Sequence, residues 1–207
     1  MAPTVTDICN MALGRIGVSR FIADLSDTSN EARVCAKFYE LTRNRVLADF
    51  DWNFAKSFVA LQDIGSPPIG WAYRYRYPNN CLKARVVTYT TTSTSSATPA
   101  NLTVDRIPFE VVEDELNGAL AICCNILTPT LIFTKQITNP TLFSYAFINS
   151  LAWALASEIG APLTANKEFV ATAANAYLIS LQQAIANNAN EATPLPSGES
   201  DFLVARW

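Results

Sequence analysis

The chain has 207 residues, half of them apolar and only 16% charged, with a net charge of −3 and a pI near 5.0. That length fits one domain or one domain carrying an insertion, with apolar residues enough for a sizeable core. The acidic balance argues against a tight nucleic-acid binder, and the complete lack of histidine removes the commonest general base, the commonest metal ligand and any Ser-His or Cys-His nucleophile.

So few charges suit a chain whose surface is partly covered by other subunits or partners. The cysteines, Cys9, Cys35, Cys81, Cys123 and Cys124, are odd in number and form no CxxC pair. Neither a disulfide framework nor a zinc knuckle is indicated, and reduced, buried thiols in a cytosolic product are the simpler reading. No metal or cofactor is expected. The opening decapeptide has no basic segment followed by an apolar run, so no secretion signal is read there.

Thr4 with Asp7 reads as a capping box for a first helix, in which Val5, Ile8, Cys9, Ala12, Leu13 and Ile16 share a face and Gly17 ends the run. Residues 18–29 read as a loop. Ser29 or Asn30 can cap a second helix over residues 31–50, with Val34, Cys35, Phe38, Leu41 and Leu47 inward and Arg33, Lys37, Glu40, Arg43 and Arg45 mostly away. It ends in an aromatic cluster of Phe50, Trp52, Phe54 and Phe58 that marks a core junction. Strands are expected over 54–62, 71–77 and 83–92, leading into a threonine- and serine-rich arm over 88–98. Residues 109–116 and 119–126 flank Asn117-Gly118, a strong hairpin signal, and 131–136 reads as another short strand.

The long uncharged run 139–160 opens on Asn139-Pro140 and closes on Gly160, which read as helix cap, first turn and stop. Its polar residues weaken a membrane-span reading and favour a buried core helix, in which Trp153 lies off the main stripe and faces another helix or a neighbouring subunit. Ala161, Pro162 and Leu163 then turn the chain. Thr164 caps a fourth helix over 165–189, with Val170, Ala173, Ala174, Tyr177, Leu181, Ala184 and Ile185 inward. The remainder, 191–207, reads as an extended tail.

The expected class is α+β: a bundle of about four helices from residues 1–52 and 138–190, an inserted antiparallel β-rich domain at 53–137, and the C-terminal tail. Three candidate sites follow. Strand 71–77 interleaves aromatics with arginines, but alternation separates the two, so the rings belong in the sheet. Arg74 and Arg76 then lie outside, free to meet phosphate or a neighbouring subunit. Glu110, Glu113, Asp114 and Glu115 form the densest acid cluster. Glu113 and Glu115 share a strand face and would be the paired carboxylates of a cell-wall hydrolase, whereas a solvated hairpin edge is the simpler reading. In the tail, Phe202, Leu203, Val204 and Trp207 are apolar anchors suited to docking into a partner.

Four segments, in order, resemble the head-to-tail adaptors of short-tailed bacteriophages, the tail tubular protein A family and related tail accessory factors. They are DICNMALGRIG (7–17), EARVCAKFYELTRNRVLADFDWNFA (31–55), GWAYRYRYPNNCLKARVV (70–87) and NPTLFSYAFINSLAWALASEIGAPLT (139–164). The Trp-Asn-Phe-Ala at 52–55 is the most telling part. The resemblance implies a non-enzymatic structural protein of the virion neck, made in the host cytoplasm. It implies a twelve-fold ring beneath the portal, a tail or nozzle protein below, and genomic DNA passing through the lumen without specific binding. It also implies that the segment 193–207 reaches towards the portal. A virion-associated hydrolase and a DNA-binding module built on Arg74 and Arg76 are the competing expectations.

Overall fold

The computed structural model describes residues 3–89, 106–114, 118–164 and 166–190. The fold is α+β, with four α-helices and two three-stranded antiparallel sheets among these residues. It divides into two compact units. One comprises the described residues of Met1–Lys56 and Thr134–Glu191, the other those of Ser57–Phe133. The arm at 90–105, Glu115, Leu116 and Asn117 of the expected hairpin, and the tail with Phe202, Leu203, Val204 and Trp207 all lie outside the described residues.

The helical unit is built from α1 (Val5–Arg15), α2 (Asn30–Asp49), α3 (Tyr145–Thr164) and α4 (Lys167–Asn190). α1 starts on the full capping box. The Thr4 hydroxyl accepts from the Asp7 amide at 3.2 Å, and the Thr4 amide donates to the Asp7 carboxylate at 2.8 Å. That bond holds the Asp7 carboxyl below its ordinary range. Gly17, at φ +76°, takes the left-handed conformation that ends the run.

α3 is the hub. It packs against α1, α2 and α4, whereas α1 and α2 scarcely touch. Phe147, Leu151, Ala154, Leu155 and Ile159 are buried, and so are Ile148, Ala152 and Ala156 on its other sides. The aromatic junction closes one end. Trp52 is buried edge-on against Phe147 and donates its indole N–H to the Val46 carbonyl at 2.8 Å. Phe54 packs tilted against Phe143 and edge-on against Phe147. A polar ring atom in an apolar site needs such a partner.

Several expectations are corrected. α3 does not begin at Asn139. Asn139 caps a single 3-10 turn, Pro140–Leu142, and the helix starts at Tyr145 with the Ser144 hydroxyl accepting from the Phe147 amide. Nor does Gly160 end it. The helix runs through Pro162 to Thr164, although Pro162 has no N–H to give to the Glu158 carbonyl. Gly160 serves packing instead: a Cβ there would lie 3.0 Å from a Val170 methyl and 3.6 Å from Ile16. The turn follows Thr164, with the Asn166 side chain accepting from the Glu168 amide at the start of α4.

The buried face of α2 is rotated from the expected one. Ala32, Cys35, Tyr39, Thr42, Arg43, Val46 and Leu47 are buried, whereas Leu41 is 71% exposed and Val34 and Phe38 are half-buried. Arg43 tolerates burial because its guanidinium bonds Glu40 and Asn44 while its stem lies in the core. In α4, Ala173, Ser180 and Ala184 are buried, but Ala174 and Ile185, expected inward, are exposed.

In the β unit the sheet orders are β1-β6-β3 and β2-β5-β4, from β1 (Lys56–Ala60), β2 (Tyr73–Arg76), β3 (Cys81–Tyr89), β4 (Phe109–Asp114), β5 (Ala119–Cys124) and β6 (Pro129–Lys135). The strand expected from residue 54 begins at Lys56, after a 3-10 turn over Asn53–Ala55 that seats the aromatic junction. The strand expected over 71–77 shortens to Tyr73–Arg76. The hairpin about Gly118 is present, with Asp114 paired to Ala119 and Gly118 at φ +58°. Leu61, Tyr75, Val87, Ile122, Cys124, Leu131 and Phe133 form the core of this unit.

Candidate functional site

Strand alternation decides which candidate residues share a face. Arg74 pairs with Cys123 and Tyr75 with Ile122, while Glu110 pairs with Cys123 on the other flank of β5. In-register side chains point the same way. Arg74, Arg76, Cys123, Glu110 and Asp114 therefore lie on one side of the sheet, and Tyr73, Tyr75, Ile122 and Glu113 on the other. As the period-2 pattern requires, Tyr73 and Tyr75 turn to the core, whereas Trp71 bonds Glu110 on the arginine face. Tyr75 is buried, and its hydroxyl donates to the Ile126 carbonyl at 2.5 Å.

Arg74, expected outside, is instead enclosed. Its guanidinium lies 3.3 Å from the Asp114 carboxylate, and its Nε donates to the Gly65 carbonyl at 2.9 Å. The two side chains are 13% and 3% exposed. The cause is topological: β2 and β4 flank β5, so a long side chain on β2 reaches diagonally across β5 to the end of β4. Arg76 remains exposed. It lines a cleft of about 210 Å³ with Tyr77, Asn79, Asp114, Ala119 and Leu120. That is below the roughly 300 Å³ at which small-molecule pockets usually begin. Chemically the cleft offers one cation beside a carboxylate already paired with Arg74.

The acid cluster is split by the same geometry. Glu110 and Glu113 are exposed on opposite faces of an edge strand. Glu110 accepts from the Trp71 indole at 3.0 Å, and Glu113 sits opposite the half-exposed Leu120. Asp114, expected in a solvated edge, is buried because Arg74 neutralises it. Glu115, the proposed partner of Glu113, lies outside the described residues.

Burial pushes the Cys81, Cys123 and Cys124 thiols up in pKa, which disfavours the nucleophilic thiolate. Cys123 and Cys124 face opposite sides of β5 yet are both buried. The neighbouring Cys35 thiol of α2, then burial, pushes the Cys9 thiol of α1 up. Among the described residues no three Cys, Asp or Glu side chains are grouped to hold a metal ion, and no helix is long and apolar enough to cross a membrane.

Two polar constructions in the helical unit were not anticipated. Arg15 donates to the Asn149 carbonyl at 2.9 Å and to its side-chain oxygen at 2.6 Å, and lies 4.2 Å over the Trp153 ring. Burial lowers the Arg15 pKa to about 10. Trp153 thus packs on α1, as the off-stripe position suggested. Second, Asn53 and Asn188 clasp one another. The Asn53 amide donates to the Asn188 side-chain oxygen at 2.9 Å, and the Asn53 side chain donates to the Asn188 carbonyl at 2.8 Å. No periodicity marks such pairs. The only sequence signal was indirect, in that Asn53 sits inside the aromatic junction. Neither a protein-family model nor a curated protein matches the chain.

Proposed function

We propose that the chain is a structural adaptor subunit of a short-tailed phage, forming a ring beneath the portal and joining it to the tail, with no reaction of its own. The observation that carries the reading is the ordered set of four resembling segments. They fall on α1, on α2 with its aromatic junction, on β2 with β3, and on α3. Three of the four therefore supply the helical unit, with Trp52 and Phe54 as its aromatic plug. The low charge fraction also supports a subunit flanked by neighbours.

In this reading Phe202, Leu203, Val204 and Trp207 dock on the portal, a tail or nozzle protein binds below, and DNA passes without specific contacts. Arg76 is the arginine available to face DNA or a neighbour, since Arg74 serves Asp114. The test is particle imaging and mass measurement of the purified chain mixed with its portal. A ring seated on the portal is expected, with weaker binding once residues 201–207 are removed. Absence of any complex overturns the reading, and full binding by the truncated chain removes the tail's role.

A further inference from the structure

α1 and α2 both pack on α3 and touch each other at few points. At that seam two thiols are neighbours, Cys9 of α1 and Cys35 of α2, and both are fully buried. Polar groups flank them. Glu31, Cys35 and Tyr39 recur every four residues along α2, which sets them one above another on one side of the helix. Among the described residues, one Glu31 carboxylate oxygen and the Tyr39 hydroxyl are buried with no hydrogen-bond partner, and Tyr39 as a whole is only 6% exposed. Such orphan atoms cost stability unless something small meets them. The thiols are also unequal. Of the five cysteines, Cys35 alone has its pKa lowered: the Cys9 thiol lowers it, against burial and the Glu31 carboxylate, which raise it. A thiol so favoured is the attacking member of a pair, and its neighbour resolves it.

We propose that Cys9 and Cys35 form a redox pair for hydroperoxides, whose oxidation ties α1 directly to α2. The Cys35 thiolate attacks one oxygen of hydrogen peroxide. The O–O bond breaks, Cys35 becomes a sulfenic acid, and the departing hydroxide takes a proton and leaves as water. The Cys9 thiol then gives up its proton, its sulfur attacks the Cys35 sulfur, and the sulfenic oxygen leaves as a second water. Two thiols and one hydrogen peroxide thus give one disulfide and two waters. Hydrogen peroxide suits the site because it is small and both donates and accepts hydrogen bonds, as the Tyr39 hydroxyl and the Glu31 oxygen require. It enters by local opening of α1, an eleven-residue helix too short to be stable alone. In a reducing compartment the pair rests as thiols, and in an oxidising one it closes. The inference stands apart from the adaptor reading.

The test treats the folded full chain with hydrogen peroxide, unfolds it in an alkylating agent and counts free thiols by mass. All five cysteines are alkylated before treatment. After it two escape alkylation, and peptide mapping joins Cys9 to Cys35. The bridge closes a long loop, so the melting temperature rises by about 5 °C and returns on reduction. Cys9→Ser leaves a sulfenic acid on Cys35 that dimedone labels, whereas Cys35→Ser leaves Cys9 unlabelled. Mapping the wild type requires no variant, so a substitution that fails to fold leaves the test intact. Five free thiols persisting in the treated folded chain, a bridge between other cysteines, a sulfenic acid on Cys9 in the Cys35→Ser chain, or a bridged chain that melts no higher would each overturn the inference.

Discussion

α3 and α4 are consecutive in sequence and almost equally free of charge, yet they meet different fates. α3 carries only Glu158 and is buried on most of its circumference. α4 carries Lys167 and Glu168 in its first turn and nothing charged beyond, yet only Ala173, Ser180 and Ala184 along it are buried. The difference teaches that apolar composition states a demand for cover without saying what supplies it. α3 is covered by α1, α2 and α4 of its own chain. α4 has α3 on one side and Leu178, Ile179 and Ile185 on surfaces that the described residues leave open.

Substitutions can break this contrast. Phe147→Ala removes the ring that joins Trp52, Phe54 and Phe143, and is expected to cost about 3–5 kcal/mol in denaturant unfolding. A loss below about 1 kcal/mol would mean that α3 is not the hub. Arg74→Ala strands Asp114 in the β unit, with an expected loss of about 3 kcal/mol. Adding Asp114→Asn should recover part of it, and a fully additive double variant would deny the pair.

Gly160→Ala presses a methyl on Val170. About 1–2 kcal/mol of overpacking is expected, offset by roughly 0.5–1 kcal/mol of helix propensity. The same change made with Val170→Ala should lose that overpacking cost. Leu178→Asp, by contrast, should move the unfolding free energy of a dilute monomer by less than about 0.5 kcal/mol. A large loss would show that α4's outer face is covered within its own chain, and the contrast with α3 would fall.

Alkaline pH gives a finer test. Burial pushes the Tyr39 phenol up to about 12, and its buried hydroxyl lacks a hydrogen-bond partner. The folded state then holds that proton more tightly than the unfolded one. Its contribution is complete below pH 10 and is lost as pH rises towards 12. Tyr39→Phe should flatten part of the stability loss in that window. At neutral pH it should be neutral or stabilising by about 1 kcal/mol, because an unmet polar group is removed.

Much of the fold was legible because local rules and tertiary packing agreed. The Thr4–Asp7 box, the Ser29 cap, the alternation at Tyr73–Arg76 and the hairpin at Gly118 all specify the backbone locally. The misreadings came where two signals competed. For α2, a row through Val34, Phe38 and Leu41 is more apolar than one through Tyr39, Thr42 and Arg43, and composition chose the wrong side. Gly160 and Pro162 look like a stop because close helix packing and a late proline leave no mark that distinguishes them from punctuation. Of the candidate site, the inward turn of Tyr73 and Tyr75 was readable from the period of the strand. The enclosure of Arg74 was not, since the order β2-β5-β4 depends on pairings that the local pattern does not encode.

The hub position of α3 also has a consequence in time. α1 and α2 leave the ribosome before α3 but make few contacts with each other. The helix that joins them follows the whole of Ser57–Phe133. At roughly 5–20 residues per second, the two leading helices wait many seconds for their partner, holding apolar faces that nothing yet covers. The β segment has its own core and can close during that interval, shortening the effective loop across which α3 must return. Synthesis order thus leaves the apolar faces of the nascent helical pair uncovered until Phe147 and Leu151 arrive.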